Sequence, residues 1–161
     1  MVTTEVELKK LRQLTGAVRP DYLQLHSVLN PKRIEEIAGI LPIRTRIISL
    51  LSVEGSPEKL KNRAVDLARS PLKALLLDSK VEGQSGGTGK IHDWEISKGI
   101  REAVHPFPVI LAGGLDPQNI GEAIRQVKPY AVDVATGVEE DGEKAEQKVE
   151  RFLEEVKNSE A

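Results

Sequence analysis

The chain has no cysteine, one methionine, one tryptophan, two tyrosines and two phenylalanines among 161 residues. Without cysteine there are no disulfides, no thiolate metal sites and no cysteine nucleophile or base. An excess of either charge is also missing. Twenty-three basic side chains face 25 acidic ones, for a net charge of −2. That balance speaks against a nucleic-acid binder, which normally carries a strongly basic surface. No apolar run approaches the ~20 residues that cross a bilayer, so no membrane partner is expected. The amino terminus, Met-Val-Thr-Thr-Glu, lacks the basic and apolar regions of a signal peptide. A cytoplasmic protein is the expectation.

What the chain does contain is a regular alternation. Five short apolar runs, rich in Leu, Ile and Val, stand at Tyr22 to Leu25, Arg46 to Val53, Lys73 to Leu77, Pro108 to Ala112 and Tyr130 to Val134. Most are continuous, as in parallel strands covered on both faces. Helical stripes lie between them: Ile34, Ile37, Ala38 and Leu41; Leu60, Ala64, Leu67 and Ala68; Ile120, Ala123, Ile124 and Val127. Asn30-Pro31, Ser56-Pro57 and Asp116-Pro117 each put a capping side chain before a proline suited to the first helical position. Thr4 and Glu7 have capping-box spacing for a helix over about 5–14. A last helix is expected over roughly 143–157, with Val149, Phe152, Leu153 and Val156 inward.

Strands alternating with helices imply βαβ units, a parallel sheet and right-handed crossovers. One domain over 1–161 accommodates five such units and a leading helix. The pattern fits either an open doubly wound sheet or part of a closed barrel. A complete eight-unit barrel needs roughly 200–250 residues. A repeat that opens on a helix looks as if its strand were cut away, with Val2 as a last remnant.

Five stretches carry candidate chemistry. Asp78 follows the buried run Leu75-Leu76-Leu77 and so stands at the carboxyl edge of the sheet, where α/β proteins bind ligands. It is a candidate general acid or, more plainly, a loop cap. Gly83-Gln84-Ser85-Gly86-Gly87-Thr88-Gly89-Lys90 is a loop that can close over a ligand, or a linker; Ile91 after Lys90 rules out a P-loop. Gly113 and Gly114 leave a strand just before a capped helix, a place for an anion or a tight turn. Thr136 and Gly137 repeat that arrangement after the next strand, and such pairs on the last two strands of barrels commonly hold phosphate. Gln24 and His26 alternate with Leu23 and Leu25 and share one face at a strand end, facing a substrate or simply hydrogen-bonded at a rim. No cluster has metal-ligand spacing.

Taken together, these stretches resemble the phosphoribosylanthranilate isomerase family of tryptophan biosynthesis. The resembling pieces are Gln24-Leu25-His26, Leu76-Leu77-Asp78-Ser79, Gly86 to Lys90 with Asp93-Trp94, Leu111 to Pro117, and Val132 to Glu139. The resemblance implies a TIM (β/α)₈ barrel, here incomplete, with about five parallel strands, six helices and the three front strands absent. It implies no metal or organic cofactor, a phosphosugar substrate, and an Amadori rearrangement of N-(5-phosphoribosyl)anthranilate. Asp78 then takes the place of the general acid. Gly113, Gly114, Thr136 and Gly137 take that of the phosphate cradle. Gln24, His26 and Asp133 lie near the substrate, and Gly86, Gly87 and Gly89 form a mobile loop. The family's base is a cysteine in a Lys-Ile-Cys-Gly stretch on its first strand, which this chain lacks. Three expectations follow: a segment of a longer barrel, a short variant closed by self-association, or a phosphate-binding partial barrel that makes no product.

Overall fold

The computed structural model describes residues 1–79 and 93–159. Six parallel strands form one sheet in strictly sequential order: β1 (Val2–Thr3), β2 (Tyr22–Leu25), β3 (Arg46–Ser52), β4 (Leu72–Asp78), β5 (Val109–Leu111) and β6 (Ala131–Val132). The helices are α1 (Leu8–Val18), α2 (Pro31–Ala38), α3 (Pro57–Ala68), α4 (Trp94–Val104), α5 (Ile120–Val127) and α6 (Glu146–Ser159). A doubly wound sheet reverses its order at a switch point, and this one does not. Sequential strands with a helix after each belong to the (β/α) barrel architecture.

The sheet has six strands rather than the expected five, because Val2–Thr3 pairs with β2. Gln24 donates to the Met1 carbonyl at 2.8 Å and His26 to that of Thr3 at 2.8 Å. Two residues are too short to announce a strand by their own hydropathy; the neighbouring ladder makes the strand. Among the described residues the sheet thus has one strand more than the sequence pattern announces.

Both faces of the sheet are apolar, for different reasons. Leu23, Leu25, Ile47, Leu51, Leu75, Leu77, Val109 and Leu111 pack against the helices in the main core. The alternate residues Leu50, Leu76 and Ala112, with Ile48 and Ile110 beside them, form a second cluster on the concave face. This double coverage explains the continuous apolar runs. The register sets Leu50 beside Leu76, and Leu76 beside Ile110.

The helix ends follow the capping reading in part. Asn30 accepts the Arg33 N–H at 2.9 Å. Ser56 precedes Pro57 but makes no side-chain cap bond. The Thr4–Glu7 box does not form. Glu5 Oε1 instead accepts the N–H groups of Val6 and Glu7, and α1 begins at Leu8. The last helix starts at Glu146, because Glu143–Lys144 (β8) turns back on Glu139–Glu140 (β7) as a small antiparallel hairpin. Leu153 is exposed rather than inward, while Phe152 is buried.

The core sets a stability contrast. Leu77→Ala removes a fully buried side chain and is expected to cost about 2–5 kcal/mol. Ile43→Ser, at a fully exposed position, should change stability by less than about 0.5 kcal/mol. Urea unfolding of the two variants measures both.

Candidate active site

The carboxyl ends of the strands form a rim, and Asp78 is its centre. Asp78 ends β4 opposite Ser52 of β3, and its carbonyl accepts the Val53 N–H at 3.0 Å. The ladder thus fixes its backbone, and the side chain lies buried on the concave face. His26, one residue beyond β2, reaches across β3 and brings Nε2 within 3.8 Å of Asp78 Oδ2. That is beyond hydrogen-bond length but within ion-pair range for a protonated imidazole. His26 Nδ1 is buried and meets no hydrogen-bond partner among the described residues. Strand order, not sequence proximity, brings the ends of β2 and β4 together, one on each side of β3.

The glycines continue the rim. Gly113 has φ +84° and no room for a side chain: a β-carbon there would lie 2.7 Å from Asp78 Oδ1 and 2.7 Å from the Ser79 nitrogen, and would collide with Ser79 Oγ. The β5 turn therefore lies directly against the β4 end. Gly114 follows at φ +67°. Gly137 sits in a short 3₁₀ turn (Thr136–Val138). A β-carbon on it would collide with the Leu115 carbonyl oxygen and lie 3.1 Å from Asp116 Cα. The turns after β5 and β6 are thus in backbone contact, and Asp78, Gly113, Leu115 and Gly137 form a continuous chain along three strand ends.

Two polar residues shape this edge in ways sequence reasoning did not see. Asn119 donates from Nδ2 to the Gly114 carbonyl at 2.8 Å and accepts the Asp116 N–H at 3.0 Å, tying the turn into a loop. Its signal was present, three residues after Asp116, but Asn serves many turns. Ser52 shares the concave face with Asp78 by register. Asp116 accepts the N–H groups of Gln118 at 2.7 Å and Asn119 at 3.0 Å. Asp116 thus holds the turn ahead of α5, whose own N-cap residue, Asn119, makes no side-chain cap bond.

The other expected residues fall as follows. Gln24 is half-buried in β2, in register with Ile48 on the concave face. Asp133 is exposed one residue past β6, its N–H donating to the Leu111 carbonyl at 2.9 Å. Thr136 is exposed at the start of its turn. Gly86, Gly87 and Gly89 lie outside the described residues. Among the described residues no group of three or more His, Asp or Glu side chains is arranged to hold a metal, and no helix is long and apolar enough to cross a membrane.

The glycine contacts can be tested by sign. Gly137→Ala drives a methyl into backbone and is expected to destabilise the fold by about 1–3 kcal/mol. Gly16→Ala, inside α1 with nothing within 4 Å, should stabilise it by about 0.5–1 kcal/mol. Thermal and urea unfolding distinguish the two.

Comparison with known proteins agrees with this fold. The family profile for PRAI, N-(5'phosphoribosyl)anthranilate (PRA) isomerase, matches residues 1–155. The N-(5'-phosphoribosyl)anthranilate isomerase of Methanosarcina acetivorans is 41% identical over 155 residues, covering 90% of this chain and 64% of that protein. The phosphoribosyl anthranilate isomerase structure from Thermotoga maritima superposes with a TM-score of 0.78 at 30% identity, over 98% of this chain and 71% of that one. The corresponding structure from Thermococcus kodakaraensis gives 0.77 at 31% identity, over 98% and 73%. The chain spans somewhat less than two-thirds of the length of such curated relatives, 64% and 65% for two from Methanosarcina acetivorans and Methanothrix thermoacetophila. With the profile matched along nearly its whole length, the chain belongs to the N-(5'-phosphoribosyl)anthranilate isomerase family.

Proposed function

We propose that this chain is the six-strand portion of one cytoplasmic barrel domain that isomerises N-(5'-phosphoribosyl)anthranilate by an Amadori rearrangement. The observation that carries the reading is the continuous rim: a buried carboxylate at the end of β4, backed by the glycine turns of β5 and β6. A phosphosugar needs both an anion cradle and, some distance along the sugar, a group that moves protons.

The chemistry is assigned as follows. The phosphate sits on the backbone of Gly113, Gly114, Thr136 and Gly137, where N–H groups rather than side chains make the approach. Asp78 gives a proton to the furanose ring oxygen as the bond from C1 to that oxygen breaks. The anthranilate nitrogen supplies the electron pair, and C1 becomes an iminium carbon. A base then takes the proton from C2, forming an enolamine. Proton return to C1 leaves the ketone at C2, so the step is an isomerisation with no external oxidant or reductant. His26, beside Asp78, and Gln24 and Asp133, toward the same edge, are assigned to substrate contact. The family's cysteine base has no counterpart in this sequence. Lack of a general base typically costs about 10²–10⁴ in rate.

The first test is turnover of phosphoribosylanthranilate by the purified chain, followed as loss of anthranilate fluorescence. Little or no turnover is expected until a base-bearing segment is supplied. Clear turnover by the chain alone would overturn that requirement and make His26 the next group to substitute. Phosphosugar binding with no turnover, even in a completed barrel, would favour a binding module instead.

In an active, completed barrel, Asp78→Asn is expected to lower kcat by about 10²–10⁴ while leaving phosphate binding intact. Retained activity removes Asp78 from its role. Gly114→Val should raise KM with a smaller effect on kcat, since uniform binding is what it disturbs. An unchanged KM refutes the cradle.

A further inference from the structure

At the amino ends of the central strands, away from the rim, two helix-to-strand turns lie side by side. One joins α3, ending at Ala68, to β4; the other joins α4, ending at Val104, to β5. Backbone bonds fix both. Ser70 donates to the Leu67 carbonyl at 2.9 Å, Phe107 to that of Val104 at 2.8 Å, and Leu75 of β4 to that of Pro108 at 3.0 Å. Between the turns is a cavity of about 470 Å³. Small-molecule sites typically measure about 300–1,000 Å³. Val65, Leu72, Val104 and Phe107 give the cavity apolar walls, and Arg69 and Lys73 are its charged lining residues.

Those two charges are not matched within the cavity. No acidic side chain among the described residues lines it. Arg69 meets Asp66 at 3.8 Å, but both side chains are mostly exposed, and such pairs are weak. Lys73 makes no ion pair among the described residues. The carboxyl ends of α3 and α4 bring a partial negative charge of roughly 0.5 each. Two full positive charges exceed that sum. The cavity therefore suits an apolar body that carries one negative group.

We propose that this cavity is a second ligand site, separate from the rim, and that it takes a small aryl-alkyl carboxylate. The carboxylate lies against Arg69 and Lys73, where a guanidinium can offer two parallel N–H donors. The ring lies against Phe107 and the aliphatic walls. A bare inorganic anion would leave those walls wet, and an uncharged aromatic would leave the cations unpaired, so each binds less well. Lys73 stands near the start of β4 and Asp78 at its end, so roughly 17 Å of strand separates the two sites. The inference rests on the fold and not on the isomerase chemistry.

The experiment titrates 3-phenylpropionate into the 161-residue chain and follows backbone amide shifts by NMR. Saturable shifts confined to residues 65–73 and 103–107 are expected, with a Kd of about 1 mM, the range a ligand of this size reaches. The uncharged 3-phenylpropanol, and inorganic phosphate at the same positions, should each bind about tenfold more weakly or worse. Arg69→Gln with Lys73→Gln should weaken 3-phenylpropionate by about tenfold and remove its advantage over the alcohol. Ala103→Glu, which puts a carboxylate in the cavity wall, should weaken it likewise. All three positions are exposed, so the variants keep their fold. No saturation by about 20 mM, binding indifferent to these substitutions, or shifts at Gly113 and Gly114 instead would each overturn the proposal. Shifts at the cavity that follow chain concentration without ligand would overturn it too, since a second copy would then be the occupant.

Discussion

Gly113 and Gly137 stand where three strand ends converge, and at each the backbone of one turn occupies the space a side chain would need. Gly113 is pressed against Asp78 and Ser79, and Gly137 against Leu115 and Asp116. The rest of the rim depends on these approaches. A methyl at either place would push the β5 turn away from the β4 carboxylate or from the β6 turn. The three strand ends would then cease to be one surface. Asn119 secures the middle of that surface by bonding both Gly114 and Asp116, so the turn is held by side-chain hydrogen bonds as well as by packing.

Below the rim the sheet supplies rigidity. The strands of the described residues are short apart from β3 and β4, and those two share the longest ladder in the sheet. Asp78 stands on the last rung of that ladder. Its place is set by backbone bonds and by leucines on both faces, not by a loop that could relax. A carboxylate on such a scaffold is oriented before any ligand arrives, the arrangement from which the proposed role of Asp78 would gain most. His26 shares the arrangement from one strand further along.

Among the described residues the two outer strands, β1 and β6, each pair on one side only, with Val2 and Tyr130 exposed beside them. A parallel sheet of this kind buries both faces but cannot bury its edges unless it closes.

Much of this was legible in the sequence because it is local. Continuous Leu, Ile and Val runs mark strands covered on both sides, and period-3.6 stripes mark the helices. Asp78 ends β4, Gly113 stands in the turn after β5 and Thr136 in the turn after β6, so their position at the carboxyl edge required only the strand to be found. The turn chemistry of Asn30-Pro31 was local too, and it held. What the tertiary structure alone decided was everything that depends on a neighbour. Val2–Thr3 is a strand only because β2 lies beside it. Thr4 and Glu7 have the spacing of a capping box, but Glu5 accepts the Glu7 N–H that Thr4 would need. Leu153 has the periodicity of a core residue, yet it is 51% exposed, because burial is set by the neighbouring elements and not by the helix's own pattern. The approach of His26 to Asp78 required β2 and β4 to flank one intervening strand, and no spacing along the chain encodes that order. Sequence determined which groups stand at the strand ends; the closeness of one end to another came from packing, since hydropathy is a property of single segments and juxtaposition is a property of pairs.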